Sequence, residues 1–212
     1  MYKKFFKRLI DLTLSILGLI LLFPLLLIIA IAVLIDDPGP VLFKQKRIGI
    51  HKSHFMIYKF RSMKVGAPKD IPTHKMKQCN QYTTKIGKLL RKTSLDELPQ
   101  IFNIIAGHMS IIGPRPALWN QFDLIAERDK YGANDVKPGL TGWAQINGRD
   151  ELEIPIKARL DGEYVRKLSF RFDVKCFVGT IFSVIGGKGI VEGGTAEVKK
   201  EEAEKEKEVV GK

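Results

Sequence analysis

Apolar residues crowd the start of the chain and then thin into short, separated groups. From Ile16 to Ile35 the sequence runs ILGLILLFPLLLIIAIAVLI, 20 residues without a charge. As a helix that run is about 30 Å long, close to the thickness of a bilayer's hydrocarbon core. Asp36-Asp37-Pro38-Gly39-Pro40 ends it with strong turn signals. Two short strands are predicted next, Val41–Gln45 and Phe55–Phe60, joined by a loop containing glycine and histidine. Residues 64–82 are polar with two prolines and read as a loop, and Ile86–Arg91 reads as a short helix or strand. A helix is expected from Leu95 to Ala106, then a rigid loop at Gly113-Pro114-Arg115-Pro116 and a second helix from Ala117 to about Lys130. Lys137–Trp143 is rich in turn residues. Val174, Phe177, Val178, Ile181, Phe182 and Ile185 recur at helical spacing, which predicts an amphipathic helix. Its ordinary meaning is core packing; the alternative is a face lying in a membrane interface. The pattern as a whole is a helix-rich α/β (α+β) domain with a short β-hairpin, preceded by one long apolar helix.

Three readings compete for the apolar run. A signal peptide fits the basic start (Lys3, Lys4, Lys7, Arg8) and the triplet Ala30-Ile31-Ala32, but its apolar region is shorter. A plain spanning helix meets two objections. Pro24 sits near its middle, where it removes a backbone hydrogen bond and kinks the helix. Both flanks are basic, with Lys44, Lys46, Arg47 and Lys52 following, and positive charge favours the cytoplasmic side. A re-entrant helix that breaks at Pro24 keeps both flanks on that side.

Composition narrows the classes. The 212 residues carry 35 Lys and Arg against 23 Asp and Glu, a net charge of +12, with 45% apolar residues. That excludes wholesale disorder. The two cysteines, Cys79 and Cys176, exclude a disulfide scaffold and a cysteine metal cluster. Residues 195–212 hold 11 charged positions and read as a solvated tail.

The densest chemistry lies in Arg91-Lys92-Thr93-Ser94-Leu95-Asp96-Glu97-Leu98-Pro99-Gln100. Ser94 and Glu97 have capping-box spacing, so Asp96 and Glu97 are either plain first-turn acids or a carboxylate nucleophile and its neighbour. The helix N-terminus would hold Asp96 ionised. Lys59 and Arg61, two apart in a strand, point to one face, and Arg115 is stiffened between two prolines. Arginine suits bidentate phosphate contacts, and lysine acts as a point charge. Carboxylates beside cations suggest a phosphate ester with a divalent metal such as Mg²⁺.

In order along the chain, the basic apolar helix, Asp37–Gln45, Tyr58–Met63, Thr93–Gln100, Gly113–Pro116 and Lys137–Gln145 resemble the bacterial sugar transferases, the monotopic phosphoglycosyl transferases, over about residues 5–190. The resemblance implies the small form of that family, without the extra membrane domain of larger members. It divides the chain into a re-entrant membrane helix (1–36), a small cytoplasmic catalytic domain (37–194) and the charged tail. It implies an enzyme of the inner membrane's cytoplasmic face that moves a sugar 1-phosphate from a UDP-sugar to polyprenyl phosphate and releases UMP. Asp96 would be the nucleophile and a ligand of Mg²⁺, and Glu97 its helper. Lys59, Arg61, Arg91, Arg115, Gln145 and Arg149 would bind substrate. Membrane lipids are implied as partners and nucleic acid is not; no oligomeric state follows. The break pair is Phe23-Pro24 where many members have Ser-Pro, so no hydroxyl there bonds the freed carbonyl. A non-catalytic rival, a membrane-anchored basic binding or docking module, explains the charge equally well but gives no reason for the Asp-Glu pair.

Overall fold

A computed structural model describes residues 2–68, 79–148 and 152–185. The protein is a helix-rich α/β fold built against one long helix, α1 (Lys7–Asp36). The helix carries on through Pro24 without interruption. One narrow stripe of α1 is buried, formed by Asp11, Ser15, Leu26, Ile29 and Val33. These positions repeat at helical period, so a single face meets the domain. The remaining faces are apolar and exposed; Leu21 is 79% exposed and Ile20 69%. A helix that is apolar all round but covered on one side only has the composition of a membrane segment. By length and hydropathy it is long enough to cross a bilayer.

Both ends of α1 are fastened to the same domain. At the start, Arg8 donates to the carbonyls of Ile104 and Ile105 at 2.6 and 2.9 Å, and the Ile111 N–H donates to Asp11 Oδ1 at 3.1 Å. Lys7 and Tyr2 both reach Asp173 Oδ2, at 2.7 and 2.5 Å. At the other end, the Ile86 N–H donates to Asp36 Oδ2 at 2.8 Å. Arg61 pairs with the Asp37 carboxylate at 2.7 Å and also donates to its carbonyl.

The hairpin forms as expected. β1 (Leu42–Ile48) pairs antiparallel with β2 (His54–Phe60), with Phe43 opposite Lys59. β1 runs three residues beyond its predicted end. After α2 (Cys79–Tyr82) comes α3 (Lys85–Lys92), a helix at the 86–91 stretch that read as helix or strand. Thr84 caps it by accepting from the Gly87 N–H at 3.0 Å.

The expected helix over 95–106 divides instead. Leu95–Glu97 is a single tight 3₁₀ turn, and α4 (Gln100–Ile105) begins only after Pro99. The proline cannot donate within a helix interior and is tolerated at its start. The second expected helix is shorter too: α5 spans Phe122–Asp129, and residues 117–121 are non-helical.

Two three-residue strands that sequence reading missed, β3 (Ser110–Ile112) and β4 (Gly139–Thr141), pair in parallel. Their ends come closer than side chains allow. A Cβ on Gly139 would lie 2.1 Å from the Gly113 nitrogen, and one on Gly142 would lie 2.1 Å from the Gly113 oxygen. The glycines therefore press the Gly113–Pro116 loop onto the start of α6 (Trp143–Ile146).

Two helices complete the domain, α7 (Ile154–Lys167) and α8 (Phe170–Ile185). Arg128 on α5 donates twice to Asp161 on α7, at 2.8 and 2.6 Å, in a buried pair. Core packing was the ordinary expectation for the apolar stripe of α8, and the structure overturns it. Cys176 and Asp173 face inward, whereas Phe177 is 49% and Phe182 71% exposed.

Candidate active site

β2 alternates as a strand must, and Lys59 follows Phe55 and Ile57 on the inward face. Alternation would put Arg61 beside it. The ladder stops at Phe60, however, and the Arg61 guanidinium turns to Asp37 at the end of α1. Arg61 therefore fastens the end of α1 and does not join the acidic pair.

The free edge of β2 is held by a residue that sequence reading missed. The Tyr58 N–H donates to Asn103 Oδ1 at 3.0 Å, and Asn103 Nδ2 donates to the Met56 carbonyl at 2.7 Å. One side-chain amide thus takes the place of a peptide group in a neighbouring strand. The signal was a lone asparagine inside the apolar run Ile101-Phe102-Asn103-Ile104-Ile105; it is completely buried.

The acidic pair sits on the 3₁₀ turn, which opens from Ser94 in a left-handed conformation, φ 58°. Left-handed backbone is uncommon outside glycine. No side-chain cap forms at Ser94, so the capping box read from sequence is absent. Glu97 is turned to longer-range partners. Its Oε1 accepts from Lys59 Nζ at 2.9 Å and from Arg115 Nη2 at 2.6 Å. Its Oε2 accepts from Arg115 Nη1 at 3.1 Å. This is a bidentate arginine–carboxylate fork with a lysine added.

Asp96 is placed differently. It is buried, and no hydrogen bond or ion pair engages its carboxylate among the described residues. Its electrostatic neighbours are Lys59, Glu97, Arg115 and Arg91. Burial pushes its carboxyl up to about 6, offset in part by Lys59 and reinforced by the Glu97 charge. A helix N-terminus was expected to hold Asp96 ionised; the short 3₁₀ turn does not, and desolvation wins. Lys59 is lowered from the usual lysine value by its own burial, against the pull of Glu97.

Gln145 is buried on α6, its Nε2 donating to the Gly113 carbonyl at 3.4 Å and its Oε1 unpaired. It lines a cavity together with Glu97 and Arg115. The structure therefore brings Lys59, Arg91, Asp96, Glu97 and Arg115 together, with Gln145 across the adjoining cavity. Arg149 and the tail lie outside the described residues.

A buried, unengaged carboxylate among cations suits attack on a phosphorus atom. Mg²⁺ is compatible with the donor set. Both Glu97 oxygens are occupied, and no cluster of three His, Cys, Asp or Glu exists among the described residues. Mg²⁺ commonly binds through one or two carboxylates and completes its shell with substrate phosphate and water. Asp96, whose oxygens are unengaged, would be that one carboxylate.

Comparison with known proteins places the chain among relatives of one family. A sequence profile of the bacterial sugar transferases matches residues 2–187. The UDP-glucose:undecaprenyl-phosphate glucose-1-phosphate transferase of Escherichia coli is 42% identical over 189 residues, 83% of this chain and 39% of that protein. An uncharacterized sugar transferase of Bacillus subtilis, EpsL, is 40% identical across 87% of this chain and 89% of its own length. An Aeromonas hydrophila UDP-N-acetylgalactosamine-undecaprenyl-phosphate N-acetylgalactosaminephosphotransferase is 36% identical across 87% of this chain and 45% of its own length. The chain spans only about two fifths of several such relatives (39%, 35% and 39%). The profile nevertheless runs unbroken from the foot of α1 to the end of α8, taking in every element that builds the acidic pair's surroundings, and so the chain belongs to the bacterial sugar transferase family.

Proposed function

We propose that this chain is a phosphoglycosyl transferase that moves a sugar 1-phosphate from a UDP-sugar to polyprenyl phosphate and releases UMP. The observation that carries the reading is the inequality of two adjacent carboxylates. Glu97 is clamped by Lys59 and Arg115, while Asp96 lies beside the same cations with its oxygens unengaged. The names of the relatives from Escherichia coli and Aeromonas hydrophila, which specify different sugars, support the reaction type and leave the sugar open.

An Asp96 oxygen attacks the sugar-bearing phosphorus of the donor. The bond from that phosphorus to the bridging oxygen breaks, and UMP leaves with the electron pair. The product is an aspartyl-phosphosugar, a covalent intermediate of carboxylate catalysis. An oxygen of polyprenyl phosphate then attacks the same phosphorus and expels the Asp96 carboxylate. Lys59 and Arg115 stabilise charge on the transferring phosphoryl oxygens, and Glu97 holds both cations in place. Mg²⁺, held by Asp96 and phosphate oxygens, would supply charge neutralisation on the diphosphate.

The reaction joins a water-soluble donor to a lipid acceptor, which calls for a site at the bilayer surface. Support comes from α1, whose two ends are fastened to one domain. A helix held that way keeps both flanks on one side of the membrane, and the basic flanks make that side cytoplasmic. The net charge of +12 suits an anionic leaflet.

The test is UMP release by the purified protein in nanodiscs, given polyprenyl phosphate, Mg²⁺ and a panel of UDP-sugars. Release that vanishes in Asp96→Asn supports the reading. Release that persists in that variant, or silence from folded protein across the panel, contradicts it.

A further inference from the structure

A cavity of about 390 Å³ opens beside Glu97 and Arg115. Its size falls within the range of ligand sites. Its walls are apolar, drawn from Leu98, Ile111, Leu140, Ile146, Phe177 and Ile181. The Thr141 and Thr180 hydroxyls that also line it bond each other at 2.7 Å, and Thr180 reaches the Cys176 carbonyl at 2.7 Å. Those polar atoms are spent within the wall. Thr93, Ser94, Ser183 and Gln145 also line it, and its charged groups are Glu97 and Arg115.

Two of the wall residues, Phe177 and Ile181, are also 49% and 45% exposed. The wall is therefore continuous with the outward apolar face of α8, which runs on through Val178 and Phe182. One chemistry matches an arginine set in an apolar cavity that leads onto an apolar outer face: an amphiphile with a phosphate head and a hydrocarbon tail. A nucleotide would leave its many hydrogen-bonding groups facing hydrocarbon.

We propose that this cavity holds the phosphate-proximal isoprene units of the polyprenyl phosphate, whose chain leaves along Phe177 and Ile181 into the bilayer. The placement rests on the transfer reaction proposed above and adds the acceptor's site to it. Arg115 faces the acceptor phosphate. The cavity is far too small for a long polyprenyl chain, so most of the lipid stays in the membrane.

Two variants on the same helix separate the cavity from general membrane contact: Ile181→Ser, in the wall, and Phe182→Ser, outside it. In nanodiscs, Ile181→Ser is expected to raise the KM for polyprenyl phosphate about tenfold. Single-turnover UMP release without acceptor stays unchanged, and Phe182→Ser leaves the acceptor KM within about twofold. Equal KM shifts in both variants, no shift in Ile181→Ser, or a loss of acceptor-free UMP release would each overturn the placement. Thermal stabilisation by polyprenyl phosphate is a second reading, expected in the wild type and lost in Ile181→Ser. It decides the cavity even where no UMP appears, an outcome that removes the transfer reaction instead.

Discussion

The Arg115 guanidinium grips both oxygens of Glu97, at 2.6 and 3.1 Å, and Lys59 closes the same carboxylate from the other element at 2.9 Å. The loop after β3, the 3₁₀ turn and β2 are thereby joined at one side chain, one residue from Asp96. In Glu97→Gln the two cations lose their counter-charge and turn toward Asp96. The Glu97 charge now raises the Asp96 carboxyl, so its removal lowers it. The expected result is a lower kcat together with an acidic limb of the pH–rate profile displaced below pH 6. Single-turnover UMP release between about pH 4.5 and 8 measures both. A limb that stays in place would dissociate Glu97 from Asp96.

Asp96 also links activity and stability to pH in opposite senses. With its carboxyl at about 6 against an ordinary 3.8, it is protonated in the fold at mildly acidic pH, and the proposed attack requires the ionised form. Acceptor-free UMP release should rise through pH 6 with a slope of one. The raised value means that the folded state disfavours the charge. The deficit is fully present above pH 6 and disappears as pH falls toward 4. Asp96→Asn is thus inactive yet more stable at pH 7.5, by up to about 3 kcal/mol at 1.36 kcal/mol per tenfold change in proton affinity. Denaturant melts of both proteins at pH 7.5 and 4 check this, with the gap closing at the lower pH.

Asn103 acts through the strand that carries Lys59. In Asn103→Ala the Tyr58 N–H and the Met56 carbonyl lose their partners, at a cost of about 1–3 kcal/mol. Lys59 then drifts from Glu97. The expectation is a kcat lower by between about tenfold and a hundredfold, with the donor KM nearly unchanged. A variant that loses stability while keeping kcat would make Asn103 purely structural.

Helix α1 provides a topological prediction. Cysteines placed at Lys3 and at Lys44, both exposed and on opposite flanks, should label from the same side of sealed inverted vesicles. Labelling of one flank from each side would require a spanning helix and a separation of contacts that the domain now holds together.

The parts of this fold legible in the sequence are those set by local pattern. Alternation located the hairpin, and an unbroken apolar run located α1. Long-range partners account for most departures. Ser94 and Glu97 have capping-box spacing, but two half-buried cations 18 and 38 residues from Glu97 outbid a backbone N–H for its carboxylate. Arg61 satisfies the alternation rule and still serves Asp37. The β3–β4 pair is three residues per strand, and its glycines at 139 and 142 make sense only once Gly113 is seen against them. The period of α8 identified its apolar face but not what covers it. At the site, Asp96, Glu97, Lys59 and Arg115 were legible from the motifs, whereas Asn103 was concealed in a helical stripe.

The central claim is a covalent bond from Asp96 to phosphorus, and mass spectrometry tests it directly. The protein is incubated with UDP-sugar and Mg²⁺ without acceptor, quenched, digested and mapped. The expected result is a sugar-phosphate adduct on the peptide carrying Asp96, absent from Asp96→Asn and discharged by polyprenyl phosphate. Transfer to the lipid that proceeds at full rate with no adduct in single-turnover quench, or an adduct on another residue, would contradict it.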